Sequence, residues 1–272
     1  MTRYTQKSKI KEIKIEQNGK KEVFFVEIIK EPNKALDPEF KEKLIKDLHK
    51  LIDENWGDFG AEFLKIHLLP VYLMAIVTDN EGMVVGLASI SKKMILKREI
   101  FYFEFTVIEK SLESKRLATI INSILIRKII INLALRLRFR LEFFLLTPNM
   151  KVLGILSRLA DFIYPDPYKY DLIKQQIDKA DNETWIMANE IIKNSDNPNR
   201  KILRDGLVVV GSYDNTPWLK YNTRSAPKYR DEIVNKFGEK YLNYKEGSGN
   251  EFLVRLKVNF FRAIYLSIKE GI

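Results

Sequence analysis

The clearest pattern of apolar and polar positions lies between residues 99 and 118. Aromatic and branched side chains dominate 99–108, and their alternation distributes them over both faces of a predicted strand. A polar stretch follows, and from Leu117 the apolar residues continue as a helix that is apolar on several sides. The pattern therefore predicts a strand, a loop and a buried helix in direct succession.

Upstream of this strand the same periodicities predict further elements. A strand begins at Glu22 and ends at Pro32, and a helix begins near Pro38, with Asp37 as its N-cap and apolar residues along one face. The remaining predictions are a short helix over 61–69 and two strands over 72–78 and 83–96, which are joined by a turn rich in Asp, Asn and Gly.

Downstream, the segment 135–143 alternates apolar residues with arginines, which is typical of a half-buried strand, although its first residues could also extend the preceding helix. A second strand-to-helix corner follows at Asn149, and this helix ends before Pro165. The later part of the chain predicts a polar helical stretch over 166–205, a strand over 207–210, a helix over 227–242 and one or two strands over 252–265.

The loop before Leu117 has chemistry of its own. The first N–H groups of a helix lack intrahelical partners, and the helix dipole is positive there, so a strand followed by a loop and a helix N-terminus attracts anions. Phosphate is the expected ligand. An ordinary strand-to-helix turn with solvated basic residues is the alternative.

This stretch resembles the acetyl-coenzyme A loop of the GNAT superfamily of N-acetyltransferases, whose signature is Q/R-x-x-G-x-G/A. The matching residues are Glu113, Ser114, Lys115, Arg116, Leu117 and Ala118. Glu113 stands where the family has Gln or Arg, and Arg116 stands where it has a glycine that lets the diphosphate approach the backbone. Together with the order of elements, the resemblance covers roughly Glu22 to Pro165.

The resemblance implies an α/β fold with a GNAT-like mixed, mostly antiparallel central sheet flanked by helices, and with an elaborated C-terminal third. It also favours a single domain over 22–272, preceded by a basic arm over 1–21. Within that domain the expected parts are a core over 22–165, a helical insertion over 166–205, and closing strands and a helix over 206–272.

For the site, the resemblance implies that acetyl-coenzyme A places its diphosphate on the amides of Lys115, Arg116, Leu117, Ala118 and Thr119. Its pantetheine would pair with the strand end at Val107 and Ile108, near Asn149. Acetyl transfer to an amine also needs a general base, and Glu104, the one acid within an apolar run, is the candidate because burial would raise its pKa. A structural ion pair is the alternative for Glu104, and Glu99 is a weaker candidate base.

A tyrosine acts as general acid in many family members, but the alignment on Asn149 places Leu156 at that position. Tyr164 could substitute for it, or it could be a packing residue beside Pro165. The expected activity is therefore an acetyl-coenzyme A-dependent N-acyltransferase acting on an unidentified amine. A non-catalytic GNAT-like protein that binds a protein or nucleic acid through a basic surface is the alternative.

Composition adds charge to this picture. The 272 residues carry a formal net charge of +10, which suits an anionic partner, although solvated lysines explain it equally well and no nucleic-acid motif is present. The chain has no cysteine, and its two histidines, His49 and His67, lack a ligand partner at suitable spacing, so no metal is expected. Without a secretory signal or an uninterrupted apolar span, the expectation is a cytoplasmic protein with no membrane partner.

Overall fold

The computed structural model describes residue 4 and residues 10–17, 20–56, 61–136, 140–174, 176–195, 197–212, 228–243 and 249–259. The chain divides into two compact units. The first comprises Met1–Lys92, Phe103–Arg138 and Phe261–Ile272, and the second comprises Lys93–Tyr102 and Phe139–Phe260.

Among the residues that the structure describes, five strands supply the sheet of the first unit. They are β1 (Ile10–Gln17), β2 (Lys20–Lys30), β3 (Leu73–Thr78), β4 (Val84–Ile95) and β5 (Arg98–Ile108), in the order β1-β2-β3-β4-β5. The hairpin end that joins β4 to β5 belongs to the second unit. The first four strands pair in antiparallel fashion, with Val26 opposite Val77 and Ile76 opposite Leu87.

The helices of the first unit are α1 (Pro32–Ala35), α2 (Pro38–Trp56), α3 (Ala61–Leu68) and α4 (Leu117–Ala134). The predicted apolar face of α2 is confirmed, because Leu44, Leu48 and Ile52 are buried in one cluster with residues of β3 and β4. Removing such side chains from water is the main stabilising contribution of this core. By length and composition α4 could cross a membrane, which is weak evidence because a core helix passes the same test.

The described part of the second unit contains five strands. They are β6 (Arg140–Thr147), β7 (Phe162–Tyr164), β8 (Ile202–Leu203), β9 (Val208–Val209) and β10 (Glu251–Asn259). Their order is β6-β10-β9-β8, and β7 also pairs with β10. All of these pairs are antiparallel.

The helices of the second unit are α5 (Met150–Leu159), α6 (Asn182–Lys193) and α7 (Glu232–Leu242). Each begins at a side-chain cap, in which Asn149, Asp181 or Asp231 accepts a hydrogen bond from a first-turn amide. Helix α6 belongs to the core, since Met187, Ala188, Ile191 and Ile192 are buried together with Leu253 of β10 and Phe144 of β6. The stretch predicted as a polar insertion therefore contributes apolar packing.

The α/β class with a largely antiparallel sheet flanked by helices is confirmed. Strand β1 was not predicted, because it lies in the segment expected to be a basic arm, where charged and apolar residues do not alternate regularly. The strand predicted over 252–265 is β10 as far as Asn259, and its later residues lie outside the described part of the chain. The single-domain organisation stays a prediction.

Candidate functional site

The end of strand β5 is buried in the first unit. Val107 and Ile108 are both buried, and the amide of Glu109 donates to the carbonyl of Val85 at 3.0 Å, so the backbone stays tied to β4 just beyond the strand. Packing at this point is tight, because a Cβ on Gly86 would lie 2.7 Å from Cδ1 of Ile108. These contacts fix the position of the strand end from which the following turn begins.

A 3₁₀ turn over Lys110–Lys115 connects β5 to α4, and it ends at Arg116. Arg116 has φ 57° and ψ 12°, which is the left-handed region. For a residue with a Cβ this conformation costs roughly 1–2 kcal/mol relative to the right-handed one, so the position suits glycine better. The glycine of the family signature and the left-handed residue of this chain therefore coincide at Arg116.

The N-terminus of α4 has no side-chain cap. Arg116 is the N-cap residue and makes no side-chain capping bond, and the first turn contains no acidic residue. The first intrahelical bond from this end joins the amide of Ile120 to the carbonyl of Arg116 at 3.1 Å. The amides of Leu117, Ala118 and Thr119 are the first-turn donors that a helix leaves unsatisfied, and the dipole makes this end positive.

A side-chain bond fixes α4 against β5. Nδ2 of Asn122 donates to Oγ1 of Thr106 at 3.1 Å and to the carbonyl of Ala118 at 2.9 Å. Because side chains two residues apart on a strand share a face, Glu104 lies on the same face of β5 as Thr106. Glu104 is half-buried, not fully enclosed. The predicted base and the predicted phosphate loop thus lie on one strand and its following helix.

Asn149 and Tyr164 lie in the second unit, where both have structural partners. Asn149 caps α5, since its Oδ1 accepts from the amide of Lys151 at 2.9 Å. The hydroxyl of Tyr164 lies 2.9 Å from the carbonyl of Asp178 and accepts from the amide of Gly206 at 3.1 Å. Burial raises the pKa of Tyr164 to about 12, so releasing its proton is harder than from a free tyrosine.

Sequence reasoning missed a buried ion cluster in the second unit. Arg255 of β10 is 0% exposed, and its Nε donates to Oε1 of Glu142 at 2.5 Å, while its Nη1 donates to Oγ1 of Thr184 at 2.7 Å. Nη2 of Arg255 lies 3.1 Å from Oε2 of Glu183. This contact is an ion pair and not a hydrogen bond, because Nη2 has no hydrogen-bond partner among the described residues. The available signal was one arginine inside the apolar run of β10 and one glutamate inside that of β6.

Glu183 extends this cluster to the surface, because it also pairs with Arg98 and with Lys257. The Arg98 guanidinium, and then Lys257 and Arg255, lower the pKa of the Glu183 carboxyl to about 2. The carboxylates and cations satisfy one another, which indicates a structural role. Among the described residues, no group of three or more His, Asp or Glu side chains is arranged to hold a metal ion.

Neither a scan against protein-family models nor a search of curated proteins found a match. Among solved structures, the ribosomal-protein-S18-alanine N-acetyltransferase from Escherichia coli is 12% identical, with 51% of this chain and 81% of that chain covered and a TM-score of 0.34. A GNAT family acetyltransferase from Staphylococcus aureus is 18% identical, covering 37% and 73%, with a TM-score of 0.28. The GNAT family N-acetyltransferase YhbS from Escherichia coli, in complex with CoA, is 16% identical, covering 36% and 56%, with a TM-score of 0.28.

These solved structures are named as acetyltransferases, the class that the sequence resembles. The matches cover between 36% and 51% of this chain.

Proposed function

We propose that this protein is an acyl-coenzyme A-dependent N-acyltransferase, with acetyl-coenzyme A as donor and an amine as acceptor. The observation that carries the proposal is the succession of β5, the 3₁₀ turn, a left-handed residue and the uncapped N-terminus of α4. Its left-handed residue, Arg116, stands at the position where the loop signature of the family that the chain resembles has a glycine.

The donor's diphosphate would accept hydrogen bonds from the first-turn amides of α4, at Leu117, Ala118 and Thr119, and from the loop amides of Lys115 and Arg116. The charge along this part of the chain favours an anion, because the sequence contains no acidic residue between Glu113 and Glu142. Backbone donors tolerate side-chain change, so the departures from the family signature leave them in place. Val107 and Ile108 remain the proposed neighbours of the pantetheine arm, and Asn149, which lies in the second unit, stays a prediction from the resemblance.

For the transfer step, an amine nitrogen attacks the thioester carbonyl, the new C–N bond forms, and the C–S bond breaks. The ammonium proton goes to a base, and the departing thiolate takes up a proton. Glu104 is our candidate base because it lies on β5, half-buried, on the face shared with Thr106. Tyr164 lies in the second unit with backbone partners of its own, so its role as the acid stays a prediction from the resemblance.

One observation favours a second function, that of a GNAT-like binding protein without catalysis. Arg116 carries a long side chain at a left-handed position where the signature has glycine, and that side chain could occupy the space of the diphosphate. In that case coenzyme A would not bind, and the basic surface would serve another partner.

Calorimetric titration of coenzyme A into the full chain tests the site, with Ala118→Asp as the perturbation. A carboxylate beside the first-turn amides should repel the diphosphate and weaken affinity by about 10-fold or more, since two like charges ~4 Å apart repel by ~1–4 kcal/mol near a protein surface. The same Asp should not destabilise α4, because a negative charge in a first turn favours the helix dipole. Weaker binding would therefore not reflect unfolding.

Ser123→Asp is the matched control, because it adds the same charge to α4 but lies beyond its first turn. We expect the control to bind coenzyme A nearly as the parent does. Unchanged affinity in the Ala118 variant would refute this site, and absence of binding in the parent would favour the second function.

A further inference from the structure

The opposite end of α4 carries a surface that the proposed chemistry does not use. We define the α4 patch as Arg127, Lys128, Ile131, Leu135 and Arg136. At 100° per residue these side chains fall within one half of the helix circumference, with the apolar pair lying between Arg127 and Arg136. The three cations are exposed, and Ile131 and Leu135 are 48% and 80% exposed.

This end of the helix is anchored to the sheet through polar contacts. Nδ2 of Asn132 donates to the hydroxyl of Tyr72 at 3.3 Å. Two further ammonium groups lie at the same tyrosine, with Nζ of Lys92 at 5.0 Å and Nζ of Lys30 at 5.8 Å from the ring centroid. Lys30 and Lys92 are exposed, so they extend the positive charge of the α4 patch onto the sheet.

The charge of α4 and of the chain that flanks it is one-sided. The sequence has no acidic residue between Glu113 and Glu142, so α4 and its flanks contribute cations only. Most apolar side chains of α4 are buried or half-buried, and Ile131 together with Leu135, which follows the helix, is exposed beside the cations. Exposed apolar side chains within a cationic rim match an interface where phosphates and hydrocarbon meet.

We infer that the α4 patch docks the protein on an anionic phospholipid bilayer. The cations would approach lipid phosphates and carboxylates, while Ile131 and Leu135 would enter the boundary between head groups and acyl chains. The proposed contact is peripheral and does not cross the bilayer. It departs from the expectation of no membrane partner, which rested on the absence of an uninterrupted apolar span. A nucleic-acid backbone would use the cations but would gain nothing from Leu135.

Co-sedimentation of the full chain with vesicles tests this inference. We expect binding to phosphatidylcholine vesicles that contain phosphatidylserine and little binding to pure phosphatidylcholine. Lys128→Gln with Arg136→Gln should weaken partitioning by about 25-fold, because each cation near an anionic surface contributes about 5-fold, or ~1 kcal/mol. Ile131→Ser with Leu135→Ser should weaken it by about 10-fold or more at unchanged net charge.

Lys46→Gln with Lys50→Gln is the matched control, since both lysines are exposed on α2 and the change in net charge is the same. This control should keep most of the vesicle binding, and thermal unfolding should verify that every variant folds. The inference fails if phosphatidylserine vesicles are not bound, or if the control weakens binding as much as the patch variant. It also fails if the serine variant binds as the parent does, or if a single-stranded oligonucleotide binds through these cations while vesicles do not.

Discussion

Replacing both members of the buried pair Arg255 and Glu142 should be far less damaging than replacing one. Arg255 is 0% exposed and the Glu142 side chain is 14% exposed, so each charge has lost most of its water and depends on the other. Removing one partner from such a pair typically costs ~3–5 kcal/mol, whereas an apolar pair of similar volume is often neutral. Glu183 and Thr184 remain beside Arg255, so we expect Glu142→Leu to cost about 3 kcal/mol, at the low end of that range.

The test is a double-mutant cycle of Glu142→Leu, Arg255→Met and the double variant, measured by urea unfolding. With Trp56 and Trp218 replaced by Phe in every variant, the fluorescence of the remaining Trp185, which lies in α6 next to Thr184, reports the unit that contains the pair. With m near 3 kcal/mol/M, a loss of ~3 kcal/mol moves the midpoint by about 1 M. The double variant should lose less than either single variant, with a coupling of about 2 kcal/mol or more.

Additive losses in the double variant would refute this reasoning, because they would mean that the two charges do not depend on each other. A stable Glu142→Leu variant would do the same, since Arg255 would then tolerate burial without its closest carboxylate.

Two further predictions concern single carboxylates. The folded pKa of Glu183, about 2, lies below its ordinary value of 4.5, so its contribution to stability is present above pH ~4.5 and is lost as the pH falls towards 2. Between pH ~4.5 and 2 the Glu183→Gln variant should therefore lose less stability than the parent protein, as measured by acid titration followed by circular dichroism. Glu190→Gln, a control on the same helix, should lose as much stability as the parent. If Glu104 is the base, Glu104→Gln should retain coenzyme A binding and lower turnover by ~10²-fold or more, with Glu81→Gln, an exposed carboxylate in the turn before β4, as control. A lower melting temperature with intact turnover would show a structural role for Glu104 instead.

The sequence predicted those elements that a pattern within a single segment is sufficient to indicate. The apolar stripe and Asp37–Pro38 start predict α2, and alternation predicts β5. In the same way, the corner at Asn149 predicts α5, whose first turn it caps. In each case periodicity and capping are properties of a single segment, so no partner needs to be known.

The elements and contacts that were missed depend on partners far away in the chain. Strand β8 has two residues and exists through its pairing with β9, which no local pattern encodes, whereas β9 lies within the strand predicted over 207–210. The bond between Arg255 and Glu142 joins residues 113 positions apart, so neither residue by itself indicates the other. The same holds for Tyr164, whose partners near Asp178 and Gly206 give it a structural setting that its position beside Pro165 did not indicate.

The strand, turn and helix that support the proposed donor site were predictable, but the conformation of Arg116 was not. The resemblance marked this position as a glycine in related sequences, and the structure places Arg116 at φ 57° there. Steric cost alone would argue against an arginine in that conformation, so sequence reasoning had no basis for assigning it.

The most direct test of the central claim is release of free thiol from acetyl-coenzyme A by the full chain in the presence of a panel of primary amines, followed with a thiol reagent. We predict amine-dependent thiol release in stoichiometric balance with the acetylated amine, together with its loss in the Ala118→Asp variant and its retention in Ser123→Asp. Acetyl-coenzyme A that neither binds nor reacts with any amine of the panel would contradict the account, and equal turnover in the Ala118 variant would contradict the placement of the donor site at the N-terminus of α4.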